Sequence, residues 1–230
     1  MIQLEFRSCH SERSEESLAN ARLKQVQRSF VVSLLRMTGS TKLVYNGFMD
    51  KKRAVLAQIA KEIERCRICK QGKSGMAVPG EGNPDADIMF IGEAPGRQEA
   101  KTGRPFIGRS GQLLRSLIVE SGLTEEDVFI TSPVKYLPDR GTPTPKDVAH
   151  GRTHLAKQLA VIEPKILVLL GAVAALGVLE EKIPIVKRHG EIIEKDGRKY
   201  FITFHPAAAL RFPKLKTLLL ADFQKLRKLL

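Results

Sequence analysis

The chain has 230 residues, 43% of them hydrophobic, with a formal net charge of +13 and a pI near 9.8. That suits one globular domain with a substantial core and room for extra terminal segments. It excludes a membrane anchor, because no apolar run reaches the ~18 residues a spanning helix needs, and it excludes a disulfide scaffold, because Cys9, Cys66 and Cys69 are the only cysteines.

The positive balance favours a polyanionic partner, nucleic acid first; a lysine-rich solvated surface has the same composition. The N-terminus is too polar and charged for a secretory signal. Cys66-x-x-Cys69 then reads as metal-binding or redox chemistry in a reducing cytoplasm.

Residues 1–48 differ from the rest. Cys9 to Glu16 is polar, and no amphipathic period runs through to Phe48. The peptide Cys9-His10-Ser11-Glu12 can be encoded so that its reverse complement reads Leu-Arg-Met-Thr, which recurs at Leu35 to Thr38. An inverted repeat in the DNA generates both, so residues 1–48 read as a disordered or spuriously translated leader, with the functional domain at 49–230.

From Met49 the elements alternate. Helical spacing of Leu56, Ile59 and Ile63 predicts a helix over 54–68 that ends at the cysteine pair. A Gly/Pro-rich loop over 72–84 precedes a strand, Ile88 to Ile91, which runs into Gly92-Glu93-Ala94-Pro95-Gly96. A second loop, Thr102 to Gly108, leads to a helix from about Ser110 to Glu120, stopped by Gly122. Thr124 caps a short turn before a strand at Val128 to Thr131. The segment from Lys135 to Pro145 holds three prolines and reads as irregular. Pro145 opens a helix with Val148, Leu155, Leu159 and Ile162 on one face. Ile166 to Leu170 is a third buried strand, and Ala172 to Leu179 a short helix. Asp196-Gly197 turns a hairpin between Glu191-Ile192-Ile193 and Tyr200 to Phe204. A basic amphipathic helix closes the chain over 215–229. Strands alternating with helices predict an α/β fold with a mostly parallel sheet covered on both faces.

Two strand ends carry chemistry. The first delivers the carboxylate of Glu93 and the last delivers His205, ahead of Pro206. Ligands of open α/β sheets bind at the carboxyl ends of strands. An acid that aligns water and an imidazole that stabilises negative charge together support hydrolysis.

These residues sit in a longer pattern. It comprises Cys66-x-x-Cys69, Val78-Pro79-Gly80-Glu81-Gly82, Gly92-Glu93-Ala94-Pro95-Gly96 with Glu99, and Gly103-Arg104-Pro105-Phe106-Ile107-Gly108 with Gly111 and Leu113-Leu114. It ends with His205-Pro206-Ala207-Ala208-Ala209-Leu210-Arg211. Each piece alone is weak; in this order, from Cys66 to the C-terminus, the chain resembles the uracil-DNA glycosylase superfamily, in particular its family 4 enzymes. The resemblance implies a three-layer α/β/α sandwich around a four-stranded, mostly parallel sheet. It also implies hydrolysis of the C1′–N1 bond of deoxyuridine in DNA, as part of base-excision repair, with the base flipped out of the duplex.

The roles follow from the same resemblance. Phe106 stacks on the flipped base, His205 donates to uracil O2, and backbone amides around Glu93 and Ala94 add donors. Glu93 and Glu99 compete to position water, a choice the resemblance does not settle: Glu93 is preferred as a pocket residue, and Glu99 is a nearly equal candidate for aligning water. Leu210 and Arg211 form a minor-groove wedge. Ser110 and Lys135 contact phosphate, and Lys214, Lys216, Lys225 and Lys228 extend the basic footprint. An ordinary core phenylalanine, a structural histidine and a solvated carboxylate at a helix start are the bland alternatives for Phe106, His205 and Glu99. The implied partner is uracil-containing DNA, the implied state a monomer, and no cofactor is required for the chemistry.

Two departures stand out. Family 4 enzymes hold a 4Fe–4S cluster with four cysteines. Here Cys66 and Cys69 provide the first pair, but Tyr136 stands where the third belongs and His150-Gly151 where the fourth does. Two thiolates do not hold a cluster that needs four protein ligands, so an intact cluster is not expected; His150 is a third ligand for zinc or for an altered cluster. The second departure is Ser132, in Thr131-Ser132-Pro133, where the family has asparagine. A hydroxyl offers one donor proton where an amide offers a donor and an acceptor, so selectivity relaxes toward other deaminated bases such as hypoxanthine and xanthine. Two rival functions remain: a catalytically weak damaged-DNA-binding protein of the same fold, and a hydrolase of free deoxynucleotides.

Overall fold

A computed structural model describes residues 39–229, with side chains from Met49 onward. The chain divides into two units, Met1–Asp50 and Lys51–Leu230. Of the first unit, the described residues are helical. They begin helix α1 (Gly39–Arg65), which starts ahead of Met49. The rest of the expected leader, including Cys9 and both repeat peptides, lies outside the described residues.

Helix α1 ends at Cys66, whose extended backbone (φ −71°, ψ 110°) separates it from the single turn α2 (Arg67–Lys70). The following loop contains two short strands, β1 (Lys73–Ser74) and β2 (Glu81–Gly82). Strand β3 (Ile88–Ile91), the turn α3 (Glu99–Thr102) and helix α4 (Arg109–Glu120) follow. A 3-10 turn at Glu125–Asp127 carries the expected Thr124 cap, here a capping box with Asp127, and leads into β4 (Val128–Thr131). The segment expected to be irregular holds β5 (Leu137–Pro138), which pairs with β1. Helix α5 (Pro145–Ile162) starts at its predicted proline, capped by Thr144. Strand β6 (Ile166–Leu170), helix α6 (Ala172–Leu179) and the turn α7 (Ile185–Arg188) come next. Strands β7 (Ile192–Lys195) and β8 (Arg198–Thr203) form the hairpin. Asp196 and Gly197 both take positive φ (52° and 71°), as a two-residue hairpin turn requires. The chain finishes with α8 (Pro206–Arg211) and α9 (Pro213–Arg227).

The main sheet has six strands in the order β2-β4-β3-β6-β8-β7. Its centre, β4-β3-β6-β8, is the expected set of four parallel strands. The two edge strands run antiparallel. The addition of β2 was not readable, because a two-residue strand in a Gly/Pro-rich loop has no periodicity to detect.

Every residue of β3, β4 and β6 is buried, so side chains alternate into two separate cores. Phe90, Ile130, Val168 and Phe201 pack against Leu114, Leu117 and Ile118 of α4 and Leu219, Phe223 and Leu226 of α9. Met89, Phe129, Leu167 and Ile202 pack against Leu155 and Ile162 of α5 and Ala174, Ala175 and Leu179 of α6. Helices on both faces of one sheet make the three-layer α/β/α sandwich. Among the described residues no helix is long and apolar enough to cross a membrane.

Leu167, the second residue of β6, has no exposed surface. Leu167→Ala removes buried methylenes and leaves a cavity that packed neighbours close only in part. It is expected to lower unfolding free energy by about 2–5 kcal/mol, measured as a fall in urea midpoint at unchanged slope.

Candidate active site and a cysteine–histidine cluster

Among the four parallel strands, the first in the chain, β3, lies between the second, β4, and the third, β6. Strand order therefore reverses between β3 and β6, and ligands of open α/β sheets bind beyond the carboxyl ends at such a reversal. Three strand ends meet there. Gly92 continues β3 with its N–H on the Thr131 carbonyl (2.9 Å), and Gly171 continues β6 with its N–H on the Thr203 carbonyl (2.9 Å). His205 follows β8. A Cβ added at Gly92 would collide with the Phe106 ring and lie 3.7 Å from His205 Nε2; one at Gly171 would lie 3.1 Å from the His205 Cβ. The Phe106 and His205 rings sit with centroids 5.9 Å apart. Phe106 and His205 thus both lie against Gly92, the residue before Glu93.

Local hydrogen bonding sets the state of His205. Its Nδ1 accepts from the Ala207 N–H (3.1 Å) as the side-chain cap of α8. Burial lowers its pKa from 6.5 to about 4, so the ring is neutral at neutral pH. A neutral imidazole that accepts at Nδ1 carries its proton on Nε2, the atom nearest Gly92. The strand that delivers it is tied down from behind: Thr203 donates to the buried Asp222 carboxylate (2.7 Å), which also meets His189 Nδ1 at 3.0 Å.

Phe106 is held against its own preference. Its φ of 51° is in the left-handed region, which an aromatic residue rarely occupies and which costs about 1–3 kcal/mol. Three contacts impose it. Glu99, only 7% exposed, accepts from the Ile107 and Gly108 N–H groups with one oxygen (2.9 and 2.8 Å). Arg115 donates to the Phe106 and Pro105 carbonyls (3.0 and 3.1 Å) and is held by Glu81 (2.7 Å) and Glu125. Gly111 lets α4 approach so closely that a Cβ there would clash with the Phe106 backbone.

The two carboxylates therefore have different surroundings. Glu99 is committed to backbone donors of the Phe106 loop. Glu93 is half-buried, without a hydrogen-bonding partner among the described residues, and burial raises its pKa above the usual carboxylate value. Ala94 is half-buried beside it. Ser132 is buried at the end of β4, and its hydroxyl donates to the Val134 carbonyl (2.7 Å); a base could meet that oxygen only as an acceptor.

Of the expected DNA contacts, Leu210 (41% exposed) and Arg211 are accessible on α8, directly after the His205 cap. Phe212, 58% exposed, extends this apolar point and was not anticipated. Ser110 is half-buried in the first turn of α4. Lys135 is corrected: it is 1% exposed and does not reach phosphate. Its ammonium donates to Thr131 Oγ1 (2.7 Å), Gln158 Oε1 (2.8 Å) and the Pro79 carbonyl (3.0 Å). Burial pulls its pKa down to about 7, with the nearby Cys69 acting in the opposite direction. The turn after β4 aims this side chain inward, and no one-dimensional pattern reports that direction.

Beside the segment that follows β4, Cys66, Cys69, His150 and His154 form a cluster whose ligand atoms all lie within 4.8 Å of one another. Cys66 Sγ is 3.1 Å from His150 Nε2. His154 was missed, although its spacing of four residues from His150 on α5 places both imidazoles on one helix face. Tyr136, in the position expected of a third cysteine, is buried against Ile59, Ile63 and Cys69. A 4Fe–4S cluster requires four protein ligands on four separate irons, usually all thiolates. Two thiolates and two imidazoles gathered this closely do not fit it.

Two consequences can be measured. Glu99→Ala leaves two N–H groups without an acceptor, and each buried unsatisfied group costs about 1–3 kcal/mol; a matching fall in unfolding free energy is expected in urea titration. For DNA affinity against salt, Arg211→Ala is expected to reduce the logarithmic slope by about one, and Lys135→Met to leave it unchanged. An equal fall for Lys135→Met would return that lysine to the DNA face.

Comparison with known proteins gives a consistent assignment. The family model described as "Uracil DNA glycosylase superfamily" matches residues 79–227. The chain is 38% identical over 183 residues to the type-4 uracil-DNA glycosylase of Thermotoga maritima, covering 77% of this chain and 95% of that one. It is 39% identical over 189 residues to the type-4 enzyme of Sulfurisphaera tokodaii (76% and 84% covered). With the type-4 enzyme of Archaeoglobus fulgidus it shares 38% over 184 residues (76% and 92%). The match takes in the β3 turn, the Phe106 loop and the His205 strand end, and this chain belongs to the uracil-DNA glycosylase superfamily, among its type-4 members.

Proposed function

We propose that the protein excises uracil from DNA by hydrolysing the N-glycosidic bond, the opening step of base-excision repair. The observation that carries this reading is a neutral imidazole and a strained aromatic ring packed about Gly92 at a strand-order reversal, with the half-buried Glu93 next in the chain.

Each group has a task. The Phe106 ring offers its face to a flipped base, stacked beside Gly92, where the absence of a side chain leaves room. As the C1′–N1 bond breaks, the electron pair moves onto the uracil ring and negative charge grows on O2. The Nε2–H of His205 donates to that oxygen. A neutral donor stabilises the anion without having to surrender its own proton first. Glu93 aligns water toward C1′, because its carboxylate is free for that contact. Glu99 acts as a positioning residue, through the loop that carries Phe106. Leu210 and Phe212 fill the gap left by the extruded base, and Arg211 and Ser110 contact phosphate. With the Ser132 proton spent on Val134, discrimination among bases falls to backbone groups around Glu93 and Ala94. The protein acts as a monomer, in the reducing cytoplasm where its thiols stay available.

A duplex with a single deoxyuridine tests the proposal. Incubation followed by alkali is expected to nick the strand. His205→Ala should lower the rate about 10²–10³-fold, and Glu93→Gln about 10²–10⁴-fold, with DNA affinity retained. Because burial raises the Glu93 pKa, the acid limb of the pH–rate profile should lie above the usual carboxylate value of 4.5 and vanish in Glu93→Gln. A shifted gel band without nicking identifies a damaged-DNA binder instead. Cytosine, hypoxanthine and xanthine duplexes run in parallel read out base selectivity.

A further inference from the structure

We propose that Cys66, Cys69, His150 and His154 bind a single zinc ion, which takes the place of the iron–sulfur cluster implied by the family resemblance. The argument is independent of the glycosylase reading.

Three observations carry it. First, the ligand atoms are spaced for one ion. Tetrahedral bonds of 2.0–2.3 Å put the donors of a zinc site about 3.3–3.8 Å apart. The four donors here are within 4.8 Å of one another, and Cys66 Sγ and His150 Nε2 are at 3.1 Å. Closing the widest separation by about 1 Å, shared between two flexible side chains, seats one ion. A two-iron cluster with two thiolates on one iron and two imidazoles on the other would separate sulfur from nitrogen, whereas here a sulfur and a nitrogen touch.

Second, His154 is 7% exposed, and both its ring nitrogens are buried without a hydrogen-bond partner. Buried imidazoles ordinarily find partners. A bound ion supplies one, and it explains why this polar ring faces Cys66, Cys69 and His150 instead of solvent.

Third, donor chemistry and spacing select the metal. Cys-x-x-Cys followed by His-x-x-x-His is the spacing of closed structural zinc sites, and two sulfurs with two nitrogens in a tetrahedron favour zinc. Two thiolates and two neutral imidazoles bring its net charge to zero, which suits a site with two of its four ligands buried. All four positions are filled by protein, so the ion has no open coordination site for substrate. Its effect is to tie α2 to α5, with Tyr136 filling the adjoining corner where a third cysteine was expected.

The untagged full-length protein, produced with both iron and zinc available, provides the test. Elemental analysis is expected to find about one zinc per chain, with no acid-labile sulfide and no visible colour. Cobalt substitution should give the strong visible bands of a tetrahedral thiolate site. His154→Ala and Cys66→Ser should each lose the zinc. X-ray absorption at the zinc edge of the unmutated protein should read two sulfur and two nitrogen ligands, a result that needs no variant to fold. Chelation should lower the melting temperature, and zinc should restore it. Iron with labile sulfide overturns the proposal. So does a folded chain that takes up neither zinc nor cobalt, or a His154→Ala protein that keeps a full complement of zinc.

Discussion

Burial of four parallel strands on both faces is the constraint from which the site follows. Hydrogen bonding within β4-β3-β6-β8 satisfies the backbone only while the strands stay in register, and side chains alternate into two packed layers. The loops must therefore leave at the strand ends. Where strand order reverses between β3 and β6, successive loops diverge, and ligands of open α/β sheets bind there. Gly92, Gly171 and His205 reach that place because their strands end side by side. No side-chain interaction is needed to bring them together; the sheet does it.

At that place the protein spends stability on geometry. Phe106 sits at a backbone angle it would not choose, and Glu99, Arg115 and Gly111 hold it there. Glu81 and Glu125 in turn hold Arg115, so with Glu99 the Phe106 loop is set by charges on four separate elements. His205 follows the same logic with less strain. One backbone N–H selects its tautomer, and burial keeps it neutral. Both groups are held in place by the fold itself.

The cysteine–histidine cluster joins residues far apart in the chain: Cys66 caps α2 and Cys69 lies in it, while His150 and His154 stand one turn apart on α5. Tyr136 packs beside it with Ile59 and Ile63. Lys135 makes a similar point about polar groups: its buried ammonium is tolerated because three acceptors meet its three protons.

Much of this was written in the linear chain. Strands at 88–91, 128–131 and 166–170, the proline that opens α5 and the Asp196-Gly197 hairpin were all legible, since periodicity, capping and turn chemistry are local properties. Motif order located Glu93, Phe106 and His205, because each stands beside a glycine or proline that shapes its turn. Direction and partnership were not legible. Whether Lys135 points to solvent or inward, whether Glu99 serves water or the backbone, and whether His154 joins two distant cysteines are decided by which elements pack together. Those contacts join residues far apart in the chain, and only the folded sheet with its helices brings them within a hydrogen bond of one another.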